Sequence, residues 1–295
     1  MASPAQQRWI EIDETEFQQN FETRGFYLQH RLSQHPLFSL PRLLELAQQL
    51  PANDFEYNAG NVPVSLAPEL TPRTGLSVEE TLRRIDQCAS WMVMKNVEQV
   101  PEYKLLLDEC LDGLQALSEV KAPGMTQREG FIFVSSPGSV TPYHLDPEHN
   151  FLLQIQGTKT MFQFDRADRR IISEQEIERT FAGSRNLVFK DEYQQRAQEF
   201  FLTPGKGLHV PVTTPHWVKN GDEVSISFSI TFRSEVSRRR EGVYKINAAL
   251  RKAGLSPRGI GHFPLADAVK YASFKTLLEA KRLVSGNAAN ERNYQ

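Results

Sequence analysis

The segment from Val224 to Arg233 alternates apolar and polar residues without a break. Its even-numbered positions are Val, Ile or Phe, whereas its odd-numbered positions are Ser or Thr and, at the end, Arg233. Because successive side chains of a strand point to opposite faces, this pattern predicts a strand with one apolar and one polar face. The alternation leaves open whether the polar face meets water or lines an interior site.

Short β-type runs precede this strand from residue 128 onward. They are separated by turn signals such as Pro137-Gly138, Pro204-Gly205 and Asn220-Gly221. Many short strands divided by turns favour a sandwich or barrel over alternating strands and helices. The predicted strands lie at 131–135, 151–156, 159–164, 187–190 and 208–212.

Helical patterns flank this β region on both sides. Ser77 and Glu80 have the spacing of a capping box, which marks the start of a helix. Further helical patterns lie at 43–50, 102–117, 237–252 and 265–284. We therefore expect a mainly helical N-terminal region (1–120), a β core (121–235) and a C-terminal helical region (236–295).

The composition is that of an ordinary globular protein. Of 295 residues, 40% are hydrophobic and 24% are charged, and the net charge of −2 gives no reason to expect a nucleic-acid partner. No apolar run is long enough for a membrane span, and the segment 1–14 lacks the pattern of a secretory signal. Two cysteines provide neither a disulfide framework nor a Cys-based metal site. These features predict a cytoplasmic protein without a membrane partner.

The strongest chemical signal is the pair His144 and Asp146, which follows a predicted strand and a Pro-Gly turn. On a strand, residues i and i+2 share one face, so both side chains can reach the same point. His216, between Pro215 and Trp217 at the start of a later strand, is the candidate third ligand. Two imidazoles and one carboxylate leave positions open for substrate and oxygen on a ferrous ion.

The remaining histidines are weaker candidates for this site. We prefer His216 to His209, because His209 lies in the middle of a predicted strand. His149 is three residues from Asp146 and is expected to face away from it. Ordinary surface or capping roles are expected for His30, His35 and His262.

Lys159 follows the turn at Gly157 and returns beside the strand that carries the His-Asp pair. The apolar residues on both arms of this hairpin predict that it is buried. A buried ammonium requires an anion, and Lys159 can bind a carboxylate as a point charge. Thr141 can donate its hydroxyl to the same carboxylate.

Four motifs occur in order along the core: Thr-Pro-x-His-x-Asp at 141–146, Asn150, Gln-Ile-x-Gly-x-Lys at 154–159 and Pro-His-Trp-Val at 215–218. Together they resemble those of the JmjC and cupin-like hydroxylases, in particular the hypoxia-inducible-factor asparaginyl hydroxylase group. The similarity covers roughly 128–233. It implies a mainly β core with flanking helices, folded as a double-stranded β-helix (the cupin and JmjC jelly roll), with 121–235 as the catalytic core.

The resemblance also implies roles for individual residues. His144, Asp146 and His216 would hold Fe(II), and Lys159 with Thr141 would bind the distal carboxylate of the co-substrate 2-oxoglutarate. Asn150 would lie near the keto-acid end, where Ser229 would line the same site. The C-terminal helices would form a homodimer.

The activity implied is that of a 2-oxoglutarate-dependent dioxygenase. It would use O2 to hydroxylate a C–H bond of a peptide or protein side chain, or of a small molecule, and convert 2-oxoglutarate to succinate. An N-demethylase of the same fold stays open, as does a non-oxygenase cupin acting as an isomerase or ligand-binding regulator.

Three points about the site stay open. The aromatic pair usual before the distal histidine is replaced by Thr214-Pro215, which leaves the substrate class undecided. Either Ser229 or Arg233 could help to bind the co-substrate. The Pro- and Gly-rich segment 60–75 is the expected lid or groove.

Overall fold

The computed structural model describes residues 8–66, 71–184 and 187–285. The segment 67–70 of the expected lid therefore lies outside the described residues. The strands are β1 Ile10–Glu11, β2 Tyr27–His30, β3 Phe55–Ala59, β4 Ser90–Met94, β5 Thr126–Ser135, β6 Val140–His144, β7 His149–Gln156, β8 Lys159–Gln163, β9 Gln198–Leu202, β10 Lys206–Val210, β11 His216–Asn220 and β12 Ser225–Arg233. The helices are α1 Glu14–Asn20, α2 Leu40–Gln49, α3 Val78–Arg83, α4 Pro101–Glu119, α5 Glu174–Phe181, α6 Glu235–Lys252 and α7 Pro264–Ser285.

Two antiparallel sheets form the centre of the described part of the chain. The larger sheet has eight strands in the order β1-β2-β10-β7-β12-β5-β4-β3, and the smaller has four in the order β6-β11-β8-β9. Strand β12 lies between β7 and β5, and β11 lies between β6 and β8, so each sheet combines early and late segments of the core. This confirms the predicted double-stranded β-helix with flanking helices.

Strand β12 is buried on both of its faces, which explains its unbroken alternation. Its apolar residues Phe228 and Ile230 belong to the main hydrophobic core, together with Leu107 and Leu111 of helix α4. Its polar residues point between the two sheets, where three of them line a cavity: Ser229, Thr231 and Arg233. The polar face of this strand therefore lines an interior site and does not meet bulk water.

The N-terminal region contains the predicted helices and also strands that we did not predict. Helix α3 begins with the predicted capping box, in which Ser77 and Glu80 bond to each other's backbone N–H groups. Strands β1, β2 and β3 are additions, and β3 forms the outer edge of the larger sheet beside β4. His30 ends β2 and is buried, with its ring against the carbonyl of Gln154, so the expectation of a surface or capping position is wrong.

The predicted strand at 187–190 is also wrong, because the described chain is irregular there. Its apolar residues are used for packing: Leu187 is buried, and the ring of Phe189 packs against Tyr143 and Trp217. The N–H of Phe189 donates to the hydroxyl of Ser65, not to a neighbouring strand. Strand β9, which pairs with β8 at the edge of the smaller sheet, was not predicted.

Helix α6 packs against both α5 and α7. Helix α5 is tied to α6 by the buried Glu178, which accepts hydrogen bonds from Asn247 and Arg251. Helix α7 packs on α6 and leaves Leu265, Val269 and Leu277 exposed. Among the described residues, no helix combines the length and apolar character needed to cross a membrane.

Candidate metal centre

The two predicted histidine ligands lie opposite each other on paired strands. His144 ends β6 and His216 begins β11, and the antiparallel register of these strands makes the two residues direct partners. Their ring centroids are 4.2 Å apart. Asp146 follows two residues after His144, so its carboxylate returns to the space between the rings.

The three side chains converge on one point. The Nε2 atom of His144 is 3.8 Å from Oδ1 of Asp146, and Nε2 of His216 is 3.8 Å from Oδ2 of the same carboxylate. One nitrogen or oxygen atom from each residue lies within 4.8 Å of those of the other two. Two imidazole nitrogens and a carboxylate oxygen are the donor set of a facial triad, which suits a divalent iron with open positions.

Backbone carbonyls orient both imidazoles. Nδ1 of His144 is 2.7 Å from the carbonyl oxygen of Pro142, and Nδ1 of His216 is 2.9 Å from that of Thr214. A carbonyl only accepts, so each Nδ1 carries the proton and each Nε2 presents a lone pair toward Asp146. Burial lowers the pKa of His216 to about 4, which keeps this ring neutral and able to bind a metal.

Asp146 is held through its backbone and its carboxylate. Its carbonyl oxygen accepts a 2.8 Å hydrogen bond from the N–H of Thr213, in the turn before His216. Its Oδ2 accepts a 3.3 Å hydrogen bond from the amide of Asn150. The amide oxygen of Asn150 accepts a 2.7 Å hydrogen bond from the hydroxyl of Ser229. Asn150 and Ser229, both expected near the co-substrate, therefore form a chain that ends on a candidate metal ligand.

Lys159 lies at the other end of the smaller sheet. It begins β8 directly opposite Asn220 of β11, four positions along that strand from His216. The side chain is buried, and among the described residues it has neither a hydrogen bond nor an ion pair. Burial lowers the pKa of Lys159 from 10.5 to about 7. A buried amine without a protein anion is suited to receive an anionic ligand.

A cavity of about 350 Å³ lies between the sheets and includes His144 and Asp146 in its wall. Thr141 lines it from β6, and the aromatic residues Phe131 and Phe133 line it from β5. Trp91 of β4 lies beside them and is buried, yet its indole N–H has no hydrogen-bond partner among the described residues. Our sequence reasoning missed Trp91, because the residues around it do not distinguish a cavity residue from a core residue.

His149 and His209 lie apart from the three converging side chains. His209 is enclosed by the rings of Phe21, Phe26 and Phe151 beneath the larger sheet. His149 begins β7, and its Nε2 atom is 2.9 Å from the hydroxyl of Ser234. Neither ring belongs to the cluster formed by His144, Asp146 and His216.

Residues 117–239 match the family model of the JmjC domain. The match includes β6, β11 and all three residues of the cluster. Over these residues the chain is similar to JmjC domains. Strands β3 and β4, from outside the matched residues, form one edge of the larger sheet.

Two known proteins extend the comparison. Lysine-specific demethylase 8 of Xenopus tropicalis is 31% identical over 146 residues, which cover 46% of this chain and only 30% of that protein. The X-ray structure of Escherichia coli YcfD superposes with a TM-score of 0.54 at 14% identity, over 97% of this chain and 70% of YcfD. A structure of YcfD, a ribosomal oxygenase from Escherichia coli, in complex with cobalt and 2-oxoglutarate superposes with a TM-score of 0.51 at 14% identity. The superposition covers 98% of this chain and 70% of that one. At 14% identity the structural similarity concerns the fold alone.

Proposed function

We propose that this chain is an Fe(II)- and 2-oxoglutarate-dependent oxygenase. The observation that carries the proposal is the convergence of His144, Asp146 and His216, the first two of which line a cavity. The buried, unpaired Lys159 lies farther along the same sheet. The donor set fits ferrous iron, and the buried amine fits a dicarboxylate co-substrate. Lysine-specific demethylase 8 and the YcfD complex with cobalt and 2-oxoglutarate support this assignment by similarity.

In this proposal the chain holds the metal with Nε2 of His144, Nε2 of His216 and the carboxylate of Asp146. Bound Fe(II) supplies the activation of O2 that is coupled to the oxidation of 2-oxoglutarate to succinate and CO2. The protein fixes the tautomers of both imidazoles through the carbonyls of Pro142 and Thr214. It also buries the ring of His216, whereas the side chains of His144 and Asp146 remain partly exposed.

The co-substrate is proposed to lie between the metal and Lys159. The ammonium of Lys159 and the hydroxyl of Thr141 bind its distal carboxylate, and Asn150 with Ser229 lies near its keto-acid end. The unpartnered N–H of Trp91 is suited to contribute a further donor to the same carboxylate. Trp91 lies level with Ser135 and Ser225, at the end of the larger sheet that leads into the turn before Lys159.

A peptide or protein side chain is the substrate class that we favour over a small molecule. The wall of the cavity includes Glu56 and Lys95, near the edge of the larger sheet, and Glu241 and Lys245 of helix α6. Each pair forms an ion pair, at 2.8 and 2.5 Å. A cavity that includes His144 and Asp146 and has two ion pairs in its wall suits a peptide segment with polar flanks. We favour hydroxylation of a C–H bond, with N-demethylation as the alternative.

We also propose that the β core at 121–235 is the catalytic unit, flanked by the regions 1–120 and 236–295. Helix α7 is the proposed homodimer contact, because it exposes Leu265, Val269 and Leu277 on one helix. Large apolar side chains exposed together are typical of an interface. A cytoplasmic location remains part of the proposal.

Isothermal titration calorimetry with Mn(II) and 2-oxoglutarate tests the proposed function without turnover. The wild-type protein is expected to bind Mn(II), and to bind 2-oxoglutarate tightly only when Mn(II) is present. Asp146→Ala should lose both. Binding of Mn(II) without any binding of 2-oxoglutarate would favour a non-oxygenase cupin and overturn the proposal.

A further inference from the structure

Arg233, the last residue of β12, is a buried cation in the wall of the cavity. Its Nη2 atom donates to Oε1 of Glu148 at 2.6 Å, and its Nη1 atom donates to Oε2 of Glu241 at 3.0 Å. Nη1 also donates to the carbonyl oxygen of Pro147 at 3.2 Å. All three acceptors belong to the protein, so Arg233 differs from Lys159, which has no partner among the described residues.

Two of these contacts are to the residues that directly follow Asp146. Arg233 holds the backbone at Pro147 and the side chain of Glu148 at the same time, while the N–H of Thr213 holds the carbonyl of Asp146 from the other side. The segment that presents the carboxylate of Asp146 is therefore fixed at both ends. A planar guanidinium can make such a fork of hydrogen bonds, whereas an ammonium cannot reproduce its geometry.

The third contact connects this segment to helix α6. Glu241 accepts from Arg233 with one carboxylate oxygen and from Lys245 with the other. Carboxylates and cations thus alternate in the order Glu148, Arg233, Glu241 and Lys245, and the last two lie in the middle of α6. Both Glu148 and Arg233 are at least nine-tenths buried, so their charges depend on each other.

We propose that Arg233 is a positioning residue of the metal centre. Its guanidinium locks the segment Asp146–Glu148 against the end of β12, so that the carboxylate of Asp146 stays directed at Nε2 of both histidines. The inference rests on the proposed metal site. Arg233 then acts by holding Asp146 and does not bind the co-substrate. The sequence alone left open whether Arg233 binds the co-substrate.

Calorimetric titration with Co(II) alone tests this role. Arg233→Met and Arg233→Lys are expected to weaken Co(II) binding by at least about tenfold, as loss of an outer hydrogen-bond partner does at metal sites. The visible absorption spectrum of bound Co(II) should change as well. With saturating Co(II), the affinity for 2-oxoglutarate should stay within about twofold of wild type, because positioning acts on the metal. The exposed Arg239→Met is the control and should bind Co(II) as wild type does.

A charge-balanced variant separates positioning from simple charge pairing. Arg233→Met with Glu148→Gln removes both buried charges and leaves neither alone, so the fold is protected even where Arg233→Met by itself unfolds. The double variant should still bind Co(II) at least about tenfold more weakly than wild type. Wild-type affinity in the double variant overturns the inference alone. Wild-type protein that does not bind Co(II) overturns the proposed function, and the inference with it.

Discussion

The hydroxyl of Ser229 donates a 2.7 Å hydrogen bond to the amide oxygen of Asn150, and this bond determines which way the amide faces. With its oxygen occupied by Ser229, the NH2 group of Asn150 points to Oδ2 of Asp146 at 3.3 Å. The polar face of β12 therefore reaches a candidate metal ligand through one intermediate side chain. Partners of this kind orient metal ligands and affect metal affinity.

Ser229→Ala should weaken binding of Co(II) by about tenfold, because it frees the amide of Asn150 to rotate away from Asp146. Ser227→Ala is the matched control, since Ser227 lies on the same face of β12 and donates to Gln154 instead. Calorimetric titration of both variants measures the difference. Equal affinities of the two variants would show that the Ser229–Asn150 bond has no role in metal binding.

Replacement of Lys159 by Met should weaken binding of the co-substrate and at the same time stabilise the ligand-free protein. Hydrogen bonds to charged groups contribute about 1.5–3 kcal/mol, so Lys159→Met should lower the affinity for 2-oxoglutarate in the presence of Mn(II) by roughly 10- to 100-fold. The same change removes a buried amine without a partner and should raise the melting temperature of the ligand-free protein. Lys219→Met, at an exposed position of β11, is the control. Unchanged affinity for 2-oxoglutarate would exclude Lys159 as its anchor.

Binding of 2-oxoglutarate should take up a proton above pH 7. Burial lowers the pKa of Lys159 to about 7, so the free site is mostly neutral at pH 8 and mostly charged at pH 6. A bound dicarboxylate stabilises the ammonium and raises the pKa of Lys159 again. The apparent affinity should therefore fall by up to about tenfold per pH unit above pH 7 and level off below it. Calorimetry in buffers of different ionisation enthalpy measures this proton uptake. If Lys159→Met still took up a proton on binding 2-oxoglutarate, the proton would not come to Lys159.

The protein should lose stability in acid because of three buried histidines outside the metal cluster. Burial lowers the pKa of His30 to about 4 and that of His149 and His209 to about 3, from 6.5. As the pH falls, these histidines take up protons in the unfolded protein before they do so in the folded protein. Their contribution to the free energy of unfolding is therefore fully present above pH 6.5 and declines as the pH falls toward 4 and then 3. Each contributes a loss of about 1.4 kcal/mol per pH unit in this range.

Urea denaturation at pH 7.5 and 5.5 measures that loss. Between the two pH values, the free energy of unfolding should change less in His209→Leu than in the wild type, by about 1.4 kcal/mol. The exposed His262→Leu should behave as wild type. An equal pH dependence in wild type and His209→Leu would contradict the assignment to His209.

The sequence was most informative where a pattern is local. The alternation of β12 and the His-x-Asp spacing at 144 and 146 depend only on strand geometry, and both lead directly to the observed cavity face and cluster. The turn at Gly157 likewise placed Lys159 at the start of a buried return strand. These features follow from the two-residue period of a strand and from turn chemistry.

Features that depend on distant packing were not accessible in this way. Strand β3 alternates apolar and polar residues over only five positions, which is a weak signal by itself, and it belongs to the sheet because β4 supplies its partners. Phe189 lies in a sequence typical of a strand. In the structure its ring packs against Tyr143, and its backbone N–H donates to the hydroxyl of Ser65 and not to a strand. The contacts of Arg233 with Pro147 and Glu148 join residues more than eighty positions apart. Only the assembled sheets bring such groups together.

The central claim is tested most directly by the formation of succinate. Purified protein with Fe(II), ascorbate, O2 and 2-oxoglutarate, with and without candidate peptides, should produce succinate that is detectable by NMR. His144→Ala and Asp146→Ala should abolish it, whereas Arg239→Met should not. Absence of succinate with the wild-type protein under every condition, or equal succinate with Asp146→Ala, would contradict the assignment as a 2-oxoglutarate-dependent oxygenase.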